Sequence, residues 1–244
     1  MTSLYLHFHG TGSGGHPALG SAAATLEQNG QPLLLIDCGP GTLTSFAERY
    51  QRLPPALFVT HGHMDHIADL EILSVRAHLT QAPPIPMLVP LGVIPVLHQR
   101  LAQYPGTLAE GGLNFWQSFQ LVPVTDSFSF AGFEWRSYPT RHHAPGSCYS
   151  LHLPGVFFYS ADTRPVPEVL HHCLTGQETV FHDCGLHSNP SHTGLDDLAR
   201  EYQPDLRRRL VLYHYASADH GQQLAAAGYR VAEPGSGFVL SHHV

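Results

Sequence analysis

The sequence predicts an α/β fold in a single domain spanning residues 1–244. Three observations carry that expectation. Short apolar runs that read as strands alternate with helical stretches; ligand-type polar residues fall at the ends of those runs; and no repeat, low-complexity linker or composition shift marks a boundary. With 244 residues, 43% of them hydrophobic and 13% charged, the chain is long and apolar enough to bury a sizeable core.

Leu4 to His9 alternates as a strand does and enters the glycine-rich turn of residues 10–17. Ala22 to Glu27 and Leu33 to Asp37 read as two strands joined at Asn29-Gly30, a pair that accepts the positive φ values of a tight hairpin. The second of these ends at Cys-Gly-Pro-Gly, as a buried strand ending at a site would. A helix capped by Thr42 follows, with Leu43, Phe46, Ala47 and Tyr50 on one face, and Pro54-Pro55 breaks it. Ala56 to Thr60 is another buried strand, and it delivers the chain into His61-Gly-His-Met-Asp-His66.

Beyond it, helices are expected near Asp69 to Leu79 and Val93 to Tyr104, with the strand PMLVP at 86–90 between them. Strands follow at Phe128 to Phe130, Glu134 to Thr140, Ser150 to Leu153 and Val156 to Ser160. Helices near Pro167 to Cys173 and Leu195 to Glu201 precede a last strand, LVLYH at 210–214.

The formal net charge of −7 argues against a general nucleic-acid clamp, which needs a basic face, and no extended nucleic-acid surface is evident. It leaves room for a phosphate-bearing substrate, because bound divalent cations reverse the local field. The first ten residues lack a basic stretch followed by a sustained apolar one, so no signal peptide is expected. Nor does any run approach the length of a membrane-spanning helix. Cys38, Cys148, Cys173 and Cys184 show no close pairing, and are expected to remain thiols in the cytoplasm.

Histidine is the unusual count, at 20. His171, His172, His242 and His243 lie in a polar stretch and at the C-terminus and are not expected to be ligands. His61, His63, Asp65 and His66, by contrast, pack four ligand-type side chains into six residues directly after a buried strand. Residues i and i+2 of extended backbone point the same way, so His61 and His63 can share one metal. The turn around Met64 presents Asp65 and His66 to a neighbouring position. Imidazole with carboxylate suits zinc first, and manganese or iron as well. Four residues cannot fill two metal shells, and further candidates end other apolar runs: His142 or His143, Asp162 and His214.

HGHMDH, the LIDCGPG segment before it, YSADT at 159–163 and LVLYH resemble, in that order, the signature segments of the metallo-β-lactamase superfamily. The resemblance runs from Thr11 to Tyr215. It implies a four-layer αβ/βα sandwich of two mixed sheets with helices outside. It also implies two divalent ions, His61, His63 and a third His holding one, Asp65, His66 and His214 the other, with Asp162 between them. Tyr149, seven residues on, selects His142 as the third His, with His143 left open. Asp37 either braces the ligand loop or is an ordinary strand-end residue.

Two further segments resemble the ribonuclease Z branch. In 180–184, Asp183 stands where that branch has Glu; in 191–193, His192 precedes the expected helix. There the His protonates the leaving oxygen and the acidic residue orients and charges it, while Asp65 helps orient the attacking water. The opening FHGTGSGGHP also resembles that branch's glycine-rich start, which lets backbone approach a substrate phosphate. One departure matters. Only 19 residues separate His142 from Asp162, room for two short strands and not for a tRNA-gripping arm. The expectation is therefore a phosphodiesterase acting on a small phosphoester such as a cyclic nucleotide. Ribonuclease Z-type RNA processing, a lactonase or thioesterase on the same fold, and a non-enzymatic metal-binding interaction protein are the alternatives. Relatives in that branch are often dimers, so a homodimer fits the resemblance.

Overall fold

The computed structural model describes residues 3–240 apart from residues 15, 104, 105 and 110. The N-terminal half comprises β1 (Leu4–Gly10), β2 (Ala23–Gln28), β3 (Gln31–Ile36), α1 (Thr42–Tyr50), β4 (Leu57–Phe58), α2 (Met64–Ile67), α3 (Asp69–Leu79), β5 (Ile85–Pro90) and α4 (Ile94–Leu101). A small hairpin, β6 (Gly106–Leu108) and β7 (Gly111–Leu113), leads into α5 (Phe115–Ser118) and β8 (Phe119–Val124). The second half runs β9 (Ser127–Phe130), β10 (Phe133–Pro139), β11 (Tyr149–Leu153), β12 (Phe157–Tyr159), α6 (Pro167–His172), β13 (Thr179–Asp183), α7 (Leu195–Glu201), α8 (Pro204–Arg207) and β14 (Leu210–Tyr213). It closes with α9 (Ala218–Ala226), β15 (Arg230–Val231) and β16 (Gly237–Leu240).

These strands build two seven-stranded sheets, in the orders β16-β1-β2-β3-β4-β5-β8 and β15-β14-β13-β12-β11-β10-β9. Each has an antiparallel half and a parallel half: β3, β4, β5 and β8 run parallel in the first, β12 to β15 in the second. Alternation along the strands explains the layering. In β1, Leu4, Leu6 and Phe8 enter the core between the sheets, where Phe8 packs against Tyr159, Phe181 and Tyr213. His9 points to the other face and meets Ser45 of α1. A second core lies between the first sheet and α1, α3 and α4, and a third covers the second sheet with α6, α7, α8 and α9. The result is the four-layer αβ/βα sandwich. Burying each large apolar side chain contributes about 1.5–3 kcal/mol, so three contiguous cores can offset the chain entropy of so many short strands.

The hairpin at Asn29-Gly30 forms with φ of 53° and 75° and pairs Gln28 with Gln31. Other expectations need correction. Thr42 is the first helical residue of α1, not its cap; the cap is Gly41 at φ 84°, a conformation that glycine adopts without strain. The N-terminal end of that helix is instead satisfied by Asp69, whose Oδ2 accepts from the Leu43 N–H at 3.0 Å. The strand expected over Ala56 to Thr60 shortens to Leu57–Phe58, because the Thr60 N–H leaves the ladder for the Asp37 carboxylate, 2.8 Å away. The turn at Met64 is a helical turn, α2. Helix α4 ends at Leu101; Tyr104, like His242 and His243, lies outside the described residues. Strands β8, β13 and β16 and helix α9 have no counterpart among the expected elements. Among the described residues the four cysteines are free, and no helix is long and apolar enough to cross a membrane.

Candidate metal centre

Parallel strands bring their carboxyl ends to one rim, and a site on that rim draws on several strands at once. Asp37 follows β3, His61 follows β4, Asp162 follows β12, Asp183 ends β13 and His214 follows β14. His142 arrives from the end of β10. Two close backbone contacts hold the 61–66 segment in place. Cys38 N–H donates to the His66 carbonyl at 2.7 Å, and a Cβ on Gly39 would stand 1.6 Å from the Asp65 carbonyl oxygen.

Three imidazole nitrogens converge on one point. His63 Nδ1 is 3.1 Å from His61 Nε2 and 3.2 Å from His142 Nε2. Asp162 Oδ2 lies 3.6 Å from His61 Nε2 and 3.7 Å from His142 Nε2. The second group is Asp65, His66 and His214: His66 Nε2 lies 3.4 Å from both Asp65 Oδ2 and Asp162 Oδ2, and His214 Nε2 lies 3.4 Å from Asp162 Oδ1. The ligand atoms of each group lie within 4.8 Å of one another, and Asp162 faces both groups.

The outer ring nitrogens explain why these faces point inward. His66 Nδ1–H donates to Asp37 Oδ2 at 2.8 Å. His61 Nδ1 contacts Thr60 Oγ1 at 3.0 Å, and that hydroxyl donates onward to Asp37 Oδ2 at 2.7 Å. His142 Nδ1–H donates to the Ser191 carbonyl at 3.1 Å. Each Nδ1 that carries a proton leaves its Nε2 lone pair free for a cation. Asp37 thus braces two ligand-type histidines, which decides between its two sequence readings in favour of bracing.

Divalent cations fit this donor set. His66 Nε2, His214 Nε2 and Asp162 Oδ1 are buried without a hydrogen-bond partner, a combination that costs free energy unless a cation satisfies it. Imidazole nitrogens with carboxylates suit zinc, manganese or iron. Electrostatics agree. Burial favours the neutral acid at Asp162, yet His214, His66 and His61 outweigh it and hold the carboxyl well below the usual range. Burial likewise opposes charge on His66 and His214, but Asp162 with Asp37 or Asp183 pushes both upward. Burial dominates at His61, pushed well down, and at His142, lowered to about 4. Backbone strain gathers here too: Asp37, His143, Ala161 and His214 all have positive φ, between 52° and 70°.

The structure turns His142 inward and His143 outward. His142 is 2% exposed, whereas His143 is exposed, its ring 4.8 Å from that of His63. His192 also reaches the site. Its Nδ1–H donates to Asp183 Oδ2 at 2.7 Å, and its ring stacks on His214 with centroids 4.9 Å apart. Asp183 Oδ2 accepts a second bond, from Thr163 N–H at 2.9 Å, while Oδ1 lies 3.4 Å from His214 Nδ1. Burial opposes charge on His192, but the bond and charge of Asp183 raise its pKa to about 9.

A cavity of about 480 Å³ opens onto the site, lined by Asp65, His63, His142, Asp162, His192 and His214. Ser13 and Gly14 of the glycine-rich turn form one wall, and a Cβ on Gly14 would stand 2.6 Å from Asp65 Oδ2. His187, Asn189 and His220 line the cavity as well and escaped the sequence reading. Asn189 had a readable signal, an Asn-Pro turn directly before His192; His187 and His220 had none.

A family model described as Anti-Pycsar protein Apyc1 matches residues 4–238. The Anti-Pycsar protein Apyc1 of Paenibacillus harenae is 27% identical over 241 residues, covering 95% of this chain and 98% of that protein. Among solved structures, the metallo-beta-lactamase fold protein YhfI from Bacillus subtilis superposes with a TM-score of 0.71 at 16% identity, covering 97% of this chain and 99% of its own. A diphosphatase from the PhnP family gives a TM-score of 0.76 at 18% identity, covering 96% and 97%. The sandwich is therefore the metallo-β-lactamase fold.

Proposed function

This chain belongs to the family described as Anti-Pycsar protein Apyc1, and from that premise we propose that it is a dinuclear-metal phosphodiesterase acting on a cyclic nucleotide or similarly small phosphodiester. One observation carries the reading: Asp162 lies within ion-pair distance of His61 and His142 on one side and of His66 and His214 on the other, and His192, bonded to Asp183, lines the same cavity.

His61, His63 and His142 with Asp162 would hold one ion, and Asp65, His66 and His214 with Asp162 the other. Bound there, two divalent ions supply Lewis acidity, acidifying water and neutralising charge on phosphoryl oxygens. The chain's own residues do the rest. Asp65 is ionised: burial opposes this, but His66 outweighs it. Its carboxylate, kept against Gly14, orients the attacking water, which loses its proton to solvent. The Nδ1–H of His192 is committed to Asp183, whose bond and charge favour the protonated ring, so Nε2–H would pass its proton to the leaving oxygen as its bond to phosphorus breaks. The product is a phosphomonoester.

The small-substrate reading is supported by the chain between His142 and Asp162. It is spent on β11 and β12, which pair as a hairpin inside the second sheet. A cavity of about 480 Å³ suits one nucleotide. The test is a substrate panel of 3′,5′-cyclic nucleotides, bis(4-nitrophenyl) phosphate and a homoserine lactone, run on metal-loaded protein. Cyclic nucleotide turnover with conversion to the monophosphate is expected; turnover of the lactone alone would overturn the reading.

A further inference from the structure

The segment between β13 and α7 is a loop closed at its base by a bridge from Gly185 to Gly194. The base is tight, since a Cβ on Gly194 would stand 2.1 Å from the Ser188 nitrogen. The tip holds the four residues Asn189, Pro190, Ser191 and His192. We propose that Asn189 is a positioning residue for the hydrolysis proposed above: through its side-chain carbonyl it sets the aim of His192 and the orientation of His142.

Asn189 Oδ1 accepts from two backbone N–H groups, Ser191 at 2.8 Å and His192 at 3.0 Å, and its own N–H donates to the His192 carbonyl at 3.2 Å. Pro190 fixes one φ in between and disfavours helical backbone at Asn189, so the side chain closes a turn already biased toward closing. The two residues it secures each touch the centre. The Ser191 carbonyl accepts the Nδ1–H of His142, which leaves Nε2 of that ring facing His63. The His192 Nδ1–H donates to Asp183. One side-chain oxygen at the cavity rim therefore steadies both a ligand-type ring and the proposed proton donor. Asn189 lines the cavity itself, so a direct contact from its NH₂ group to substrate is the rival role.

Two substitutions separate these roles. Asn189→Asp keeps the accepting oxygen and removes the NH₂ group; Asn189→Ala removes both. Backbone order parameters of the Ser191 and His192 amides, from NMR relaxation, are expected near about 0.85 in the wild type and in Asn189→Asp, falling toward about 0.6 in Asn189→Ala. The kcat on a 3′,5′-cyclic nucleotide is expected to fall about fivefold in Asn189→Ala, as for loss of a comparable side-chain cap, and to return in Asn189→Asp. On bis(4-nitrophenyl) phosphate, assayed at saturating metal so that any loosening of His142 is compensated, the leaving group needs no proton and the change stays under about twofold. Unchanged order in Asn189→Ala, equal losses on both substrates, or failure of Asn189→Asp to restore order and turnover would each overturn the proposal. A wild type that turns over no phosphodiester overturns the functional reading instead, and the order parameters then decide the positioning role by themselves.

Discussion

Replacing Asp183 by Asn tests the proton-donor assignment with little change of shape. In the wild type the fully buried carboxylate accepts the His192 Nδ1–H at 2.7 Å and the Thr163 N–H at 2.9 Å. Asn retains one accepting oxygen but loses the charge. A hydrogen bond to a charged group contributes about 1.5–3 kcal/mol and a neutral one about 0.5–1.5 kcal/mol, so the substitution removes roughly 1–1.5 kcal/mol from the positioned imidazolium. Since 1.36 kcal/mol is tenfold in rate, kcat on a cyclic nucleotide is expected to fall about tenfold. Asp183→Ala removes the whole bond and is expected to cost about 10- to 150-fold. The assay compares a cyclic nucleotide with bis(4-nitrophenyl) phosphate at saturating metal, because Asp183 also faces His214 and metal loss must not masquerade as loss of the acid. The nitrophenyl diester should change by less than about threefold. Equal losses on the two substrates would refute the reasoning.

Three more outcomes follow from the geometry. Asp37→Asn leaves His61 and His66 without their bracing carboxylate, and metal affinity measured by chelator competition should weaken about 10- to 100-fold, with the fold retained. Glu178, fully buried, accepts from the backbone N–H groups of Gly155, Thr175, Gly176 and Gln177, so Glu178→Ala should cost about 3–5 kcal/mol in urea denaturation; a loss below about 1 kcal/mol would contradict this. Burial, reinforced by Arg49, lowers His7 to about 4, and burial with His7 and Arg49 lowers His9 to about 3, against an ordinary value of 6.5. The unfolded chain therefore takes up these protons first, and their contribution to stability is lost as pH falls from about 6.5 toward 3; in Tm measurements, His9→Gln should flatten that slope.

Local patterns that pack chemistry into adjacent residues were legible in the sequence. His61 to His66 announced itself because four ligand types follow an apolar run, and Asp162 and His214 because they end such runs. Where two candidates are neighbours, pattern gives out. His142 and His143 differ only in direction, and that direction follows from the positive φ of His143 and from the Ser191 carbonyl, 49 residues from His142 in sequence. In the sequence, strand β13 shows as a motif and not as a strand, because its polar end, His182-Asp183, breaks the apolar run; both residues are buried by partners distant in sequence. The capping of α1 shows the same limit. Thr42 is the residue type that caps helices, yet the turn needs positive φ, and Asp69 of α3 supplies the missing acceptor. Asn189 escaped the sequence reading although Asn-Pro is a turn signal, since its importance lies in what Ser191 and His192 touch.

The proposed hydrolysis of a small phosphodiester would require two cations held around Asp162. It is tested most directly by titrating metal-free protein with zinc or manganese while measuring nucleoside monophosphate formed from a 3′,5′-cyclic nucleotide. Activity rising to a plateau at about two ions per chain is the expected result. No monophosphate at any metal loading, in protein that retains its fold, would contradict the account.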